Sequence, residues 1–211
     1  MKKAAAILAV FVTAFLFMFS GLLHAQEDNK WEKFKQLPFP EKRWVMLHPF
    51  IAVRAYSISS EAQKKAAQVV FDTRLDGDAD GGQVDAFRHT YWMARMAQEF
   101  HWRKAISLGR AHEKGNKIYF RKHKLEEGRI PDYESCEMDM LNNKAGVEIG
   151  RYHKDLSKDD LTTQIIDKIR DGKLWIMKKK LDGRYLDCDG KLLKTDSLER
   201  KWISGKCIVP S

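Results

Sequence analysis

The sequence contains little cysteine, proline and glycine. Its 211 residues include 3 Cys, 5 Pro and 13 Gly. Three cysteines are too few for a fold built on disulfides, and so little Pro and Gly excludes collagen-like and linker-dominated chains. Hydrophobic residues make up 44% of the chain and charged residues 32%, which excludes a polytopic membrane protein and a disordered acidic chain. The length allows one domain with a small appendage.

One apolar run does occur, at the start of the chain. Lys2 and Lys3 precede residues 4–23, which carry no charge, and the small residue Ala25 is followed by polar residues. This order is typical of a secretory signal peptide, here residues 1–25. It predicts an exported bacterial protein, either periplasmic or secreted. An uncleaved membrane anchor stays open as the alternative, because the run is close to membrane-spanning length.

The rest of the chain predicts a mainly α-helical protein with a small β-hairpin C-terminal tail. Residues 26–60 predict an extended or short-helical wrap that pins aromatic side chains onto the core. Residues 61–172 predict the helical domain, and residues 173–211 predict a β-rich tail with two Asp-Gly turns. The helices are expected at residues 61–71, 83–100, 102–124, 133–153 and 159–170.

The three cysteines all follow the predicted leader. Cys188 and Cys207 both lie in the tail, and an exported protein is free to form disulfides, so we expect these two to pair. Cys136 is then free and buried. Pairing of Cys136 with one of the others stays open.

Three polar clusters lie on three consecutive predicted helices. In the first, Asp85 and His89 are four residues apart and therefore share one helix face. If the helices pack together, the clusters converge on one pocket. Their members are Asp85, Arg88 and His89, then His112 and Glu113, then Asp139, Asn142 and Asn143.

These side chains predict a hydrolytic site. His89, His112, Glu113 and Asp139 are the candidate catalytic residues, because imidazoles and carboxylates bind divalent ions such as zinc or move protons themselves. Arg88 is expected to hold an anionic group. The binding group further includes Asp85, Asn142 and Asn143. In the alternative interpretation the same residues form a buried structural network without catalysis.

An acidic loop precedes the first cluster. Asp76, Asp78, Asp80 and Gly81 match the first half of an EF-hand calcium loop. Phe87 stands where that motif needs a bidentate Glu, so the loop is a weak calcium candidate. The alternative is a solvated acidic loop that caps the helix beginning at Gln83.

The positive charge is scattered. The net charge is +9, and removing the predicted leader takes away two lysines and no acid, which leaves +7. No nucleic-acid motif accompanies these residues. Weak attraction to anionic lipid, cell wall or nucleic acid stays open. The pattern indicates no specific partner or oligomeric state.

Three ordered motifs resemble an uncharacterised family of domains in exported bacterial proteins. They are Asp85-Ala-Phe-Arg88-His89-x-Tyr-Trp92, Ala-His112-Glu113, and Met-Asp139-x-x-Asn142-Asn143-x-x-Gly146. The resemblance covers residues 70–155, and similar motifs stand at the ends of some toxin-like secreted proteins. It implies a helical fold and candidate site residues, but no reaction. We expect a hydrolase of a phosphoester or lipid headgroup, or else a non-catalytic envelope or secreted binding or structural module, stabilised by calcium if the acidic loop binds it.

Overall fold

The computed structural model describes residues 30–126, 128–194 and 201–211. The predicted leader lies outside these ranges. The chain divides into two units, residues 1–38 and 39–211. In the first unit residues 30–36 are helical. All elements named below belong to the second unit.

The second unit is mainly α-helical. Its helices are α1 (Phe39–Leu47), α2 (Pro49–Val69), α3 (Gln83–Glu99), α4 (Trp102–Arg121), α5 (Tyr133–Tyr152) and α6 (Lys158–Arg170). Strands β1 (Trp175–Met177) and β2 (Ile208–Pro210) follow. The predicted positions of α3, α4, α5 and α6 are confirmed within a few residues. Within the described residues, no helix is long and apolar enough to cross a membrane.

The start of α2 is a correction to the sequence prediction. The predicted wrap is helical over much of its length, and α2 begins at Pro49 instead of Glu61. Proline fits the first turn of a helix, where its missing N–H has no helical partner and its fixed φ is already helical. Ala55, Ile58 and Ala62 are buried at helical spacing. Their packing in the core stabilises the part of the helix that begins at Pro49.

Helix α3 is the centre of the domain. It contacts α2, α4, α5, α6 and β1. Phe87, Tyr91, Met93 and Met96 on α3 are fully buried. A helix that is apolar on most sides belongs in a core, and this one joins the two main apolar clusters of the domain.

Helices α3 and α5 cross closely because α5 carries two glycines at the crossing. A Cβ atom on Gly146 would lie 2.2 Å from the Thr90 carbonyl oxygen, and one on Gly150 would lie 2.1 Å from that of Ala94. No side chain fits at either place. The stripe of small residues therefore sets the distance between these two helices.

A polar contact joins helices α2, α3 and α6. The Glu61 carboxylate on α2 accepts hydrogen bonds from the Tyr91 hydroxyl at 2.8 Å, from Arg95 Nε at 2.9 Å and from Lys158 Nζ at 2.6 Å. Burial raises the pKa of Glu61, but these hydrogen bonds outweigh it and leave the pKa below its usual value. The carboxylate thus ties α2 to α3 and α6.

The tail contains a two-stranded antiparallel sheet and the predicted Cys188–Cys207 disulfide. Its strands are the two ends of the tail, with Trp175 opposite Pro210, and are not joined by a tight turn. The Asp-Gly turns lie between them. Cys136 is free and buried, as predicted.

Candidate functional site

The site is centred on His89, which projects from α3. Asp85 precedes it by one turn of the same helix, and Asp139 comes from α5. His89 Nε2 lies 3.5 Å from Asp85 Oδ1 and 3.4 Å from Asp139 Oδ1. All three residues are buried, with His89 only 3% exposed. The backbone N–H of Gly81 donates to the other Asp85 oxygen at 2.7 Å and fixes that carboxylate.

Arg88 determines the tautomer of His89. Its Nη2 lies 2.6 Å from Asp85 Oδ1 and 3.0 Å from His89 Nε2. A guanidinium only donates, so Nε2 accepts and the ring proton is on Nδ1. The Nε2 lone pair therefore accepts from Arg88, whose guanidinium also binds Asp85.

The three acceptor atoms have the spacing of a metal site. The ligand atoms of Asp85, His89 and Asp139 all lie within 4.8 Å of one another. Asp139 Oδ1 has no hydrogen-bond partner although it is buried. A tetrahedral ion with bonds of about 2.1 Å holds its ligand atoms about 3.4 Å apart, which matches the distances from His89 Nε2. Three protein ligands with one open position are the arrangement of catalytic zinc.

Burial and like charge control the protonation of this group. Burial raises the pKa of Asp139, and the neighbouring carboxylates of Asp85 and Glu113 raise it further. Burial also raises the pKa of Asp85, against the effect of Arg88. For His89, burial and then the charge of Arg88 lower the pKa well below its usual value, so the ring is neutral. A neutral imidazole is the form that binds a metal ion.

His112 lies beside this group but has different partners. Its ring centroid is 6.4 Å from that of His89. Nδ1 lies 3.0 Å from Glu41 Oε1, and Nε2 lies 3.1 Å from Glu126 Oε1. Burial lowers the pKa of His112, but the hydrogen bonds to both carboxylates outweigh it and raise the pKa well above its usual value. His112 is therefore a cation held between two glutamates, with neither nitrogen left for a metal ion.

Glu113 is buried beside Asn116 and Cys136. Its Oε2 accepts a hydrogen bond from Asn116 at 3.2 Å. Burial raises its pKa to about 7, with Glu126 adding to the effect. Burial also raises the pKa of the Cys136 thiol, and the charge of Glu113 adds to this. The thiol therefore stays protonated.

The two asparagines of α5 differ in role. Asn142 donates to the Trp175 carbonyl oxygen at 2.8 Å and accepts from its N–H at 3.0 Å. It thus holds β1 against α5, which is structural. Asn143 lies close enough to His89 to raise its pKa, while its side-chain atoms make no hydrogen bond of normal geometry.

A cavity of about 80 Å³ opens onto the carboxylates. Asp80, Asp85, Glu126 and Asp139 line it, together with three cations. These cations are Arg88 from α3, Arg129 from the loop before α5 and Lys206 from the tail. All three cations are in ion pairs, Arg88 with Asp85, Arg129 with Asp80 and Lys206 with Asp132, so the cavity combines the candidate metal ligands with cations that are compensated by carboxylates.

The acidic loop uses its carboxylates locally and in ion pairs. Asp76 accepts from the Gln83 N–H at 3.0 Å, which is the capping contact of the alternative interpretation. Asp78 and Asp80 both pair with Lys179 of the tail, and Asp80 also pairs with Arg129. Calcium binding at this loop stays a prediction.

Four functional residues were missed in the sequence. Glu41 and Glu126 hold His112, and Arg129 and Lys206 line the cavity. All four lie outside the three motifs, and their positions in the chain carry no periodic signal. Glu126 is 14 residues from His112 along the chain and Glu41 is 71 residues away, so only the tertiary fold brings the two glutamates to His112.

The comparisons with known proteins identify a family without a described activity. No curated protein matches the chain, and no solved structure matches it. A family model described as Domain of unknown function (DUF6973) matches residues 42–173 and includes all three polar motifs. This match covers more than half of the chain, and the chain therefore belongs to the family Domain of unknown function (DUF6973).

Proposed function

We propose that this domain is an exported bacterial hydrolase of phosphoesters, including those of lipid headgroups. The observation that carries the proposal is the convergence of Asp85, His89 and Asp139 on one buried point beside the cavity. We assign these three residues as ligands of a divalent cation of the zinc type. The Cys188–Cys207 disulfide supports the exported location, because disulfides persist in oxidising compartments.

The cation would act as a Lewis acid and lower the pKa of water at its open position. The protein residues then have separate roles. Asp85, His89 and Asp139 fix the ion, and Gly81 orients Asp85 from outside. Arg88 already bridges Asp85 and His89. To free His89 Nε2 for an ion, the guanidinium would have to give up that contact, and from the cavity that it lines it would then hold the anionic group.

Glu126 is the residue that we assign as the proton acceptor. It lines the same cavity and is not one of the ligands. His112 donates to its carboxylate, and Glu41 holds the other side of that imidazole. Water would attack phosphorus and give one proton to Glu126, the P–O bond to the alcohol would break, and Glu126 would return that proton to the leaving alkoxide. Arg129 and Lys206 also line the cavity, and an anionic substrate would replace Asp80 and Asp132 as their ion-pair partners.

The contact made by Arg88 favours a second candidate function, a non-catalytic binding or structural module. The guanidinium compensates Asp85 without any metal ion. In that case the buried network only fixes the packing of α3 against α5. Metal binding and hydrolysis separate the two functions.

The test combines metal binding with activity. Chelator-treated protein is titrated with Zn²⁺ in a calorimeter, and hydrolysis of bis(para-nitrophenyl) phosphate is then measured. We expect one ion per chain, a raised melting temperature and zinc-dependent hydrolysis. Asp139→Asn should lower the affinity for Zn²⁺ by about a hundredfold or more and abolish hydrolysis. The matched control is Asp167→Asn, because Asp167 is an exposed acid on α6, and it should behave as the unchanged protein.

Two results would contradict the hydrolase. The first is failure of the chelator-treated protein to bind Zn²⁺, Ca²⁺ or Mn²⁺. The second is binding without hydrolysis together with a loss of ten degrees or more in melting temperature for Asp139→Asn. Either result favours the structural network.

A further inference from the structure

A second surface of the domain, formed by α1, the start of α2 and α4, is both apolar and cationic. Helix α1 and the first turns of α2 expose large apolar side chains. Phe50 is 99% exposed, and the others are Phe39, Met46, Leu47 and Val53. Soluble monomers seldom gather so many large apolar side chains within fifteen residues of one another, and such patches mark interaction surfaces.

A groove continues this apolar surface. It has a volume of about 730 Å³ and lies between α1 and α4. Trp44, Leu47 and Ile106 form apolar walls, and Phe39 stands at its edge. His89, Asp85 and Asp139 do not line this groove. It is therefore separate from the candidate metal site.

The charge beside the groove has one sign. Helix α4 carries six basic residues, all exposed: Arg103, Lys104, Arg110, Lys114, Lys117 and Arg121. Its one acid, Glu113, is buried. Helix α1 also has one acid, and Glu41 binds His112 instead of facing solvent freely. Neither α1 nor α4 thus presents a fully exposed acid to compensate these cations.

We propose that α1, the start of α2 and α4 form a docking surface for an anionic lipid bilayer. Basic residues next to exposed aromatic and aliphatic side chains are the combination by which helices lie in a membrane interface. The apolar side chains enter the headgroup and outer acyl region, and the cations of α4 meet the lipid phosphates. A second copy of the chain is disfavoured as the occupant, because it would place the cations of two copies against each other.

The test places a polarity-sensitive dye on the proposed surface. Phe50→Cys is labelled in the full chain through its new thiol. Cys136 is buried, and the other two cysteines form the disulfide, so position 50 reacts selectively. Phe71→Cys is the matched control, because Phe71 is 85% exposed but lies beyond the far end of α2, about 30 Å along the helix. All variants carry the same leader, so the loss of quenching in Arg110→Gln with Lys114→Gln, which leaves the leader unchanged, separates lipid contact by the surface from lipid contact by that segment.

The vesicles contain phosphatidylglycerol and phosphatidylcholine with brominated acyl chains. We expect a blue shift and quenching for the dye at position 50 and neither change at position 71. Vesicles of phosphatidylcholine alone should quench little. Arg110→Gln with Lys114→Gln should raise the lipid concentration for half-maximal quenching by about tenfold or more.

Three results would overturn the proposal. Equal quenching at positions 50 and 71 would show that the contact is not specific to this surface. Equal quenching by neutral and anionic vesicles would remove the role of the cations. A blue shift at position 50 that grows with protein concentration in the absence of lipid would identify a second copy as the occupant.

Discussion

Replacing Gly146 by alanine should disrupt both the helix crossing and the candidate metal site. The new Cβ would lie 2.2 Å from the Thr90 carbonyl oxygen, about 0.8 Å short of the closest approach that real Cβ atoms make. A backbone carbonyl cannot move aside as a side chain can. Helices α3 and α5 must therefore separate by most of that distance.

Two opposing effects set the change in the free energy of unfolding. Overpacking a core costs roughly 1–3 kcal/mol and occasionally more, and alanine returns up to about 1 kcal/mol in helix propensity. Because the clash is with backbone, we place the free energy of unfolding about 2–4 kcal/mol below that of the unchanged protein. For a domain of this size a loss of about 3 kcal/mol lowers the melting temperature by about 6–12 °C.

The separation of α3 and α5 in Gly146→Ala should also displace residues of the candidate metal site. Thr90 follows His89 on α3, and Asp139 precedes Gly146 by two turns on α5. The 3.4 Å separation of His89 and Asp139 spans this crossing. We therefore expect Gly146→Ala to weaken Zn²⁺ binding as well as stability.

Thermal unfolding followed by circular dichroism measures the effect on stability, and calorimetry measures the effect on Zn²⁺ binding. Gly109→Ala is the control, since its Cβ would meet a side-chain amide, that of Asn143, at 3.2 Å. Its stability should stay within about 1 kcal/mol of the unchanged protein. A melting temperature for Gly146→Ala equal to or above that of the unchanged protein would refute the close crossing.

Two further predictions concern other parts of the fold. Reduction of Cys188–Cys207, or Cys188→Ser, should cost about 3 kcal/mol, because the bond closes a loop with a sequence separation of 19; an unchanged melting temperature under reducing conditions would contradict this. Glu61 has a folded pKa below its usual 4.5, so its contribution to stability is present above that pH and is lost as pH falls through the lowered pKa. The melting temperatures of Glu61→Gln and the unchanged protein should differ most near pH 7 and converge below about pH 4.5, and a constant difference across that range would argue against the charge effect.

Much of the fold could be read from local patterns. Apolar residues at helical spacing placed α3 to α6, because the period of a helix is set by its own backbone. The start of α2 at Pro49 was missed, because the aromatic and proline residues near it favour an extended or short-helical segment that ends before Glu61. Only packing of Ala55 and Ile58 against the core shows that this segment is helical.

The candidate site could be predicted in part. Asp85 and His89 were paired from their spacing on one helix, and that pairing depends only on helix geometry. The partners of His112 could not be predicted, since Glu41 and Glu126 reach it from distant parts of the chain. A motif indicates that a residue is polar and lies on a helix. It does not indicate which groups the nitrogen atoms of its side chain will contact.

The sequence by itself determined the helices, the order of the three polar motifs, the cysteines available for pairing and the faces on which the polar residues stand. These properties follow from backbone periodicity and side-chain chemistry along one segment. The tertiary structure decided that His89 and Asp139 face each other across two helices, while His112 is held by two glutamates. It also decided which cations line the cavity and which lie beside exposed apolar residues on α1. Burial, distance and charge compensation arise only when separate segments pack together, and these three quantities distinguish the candidate metal site from its neighbours.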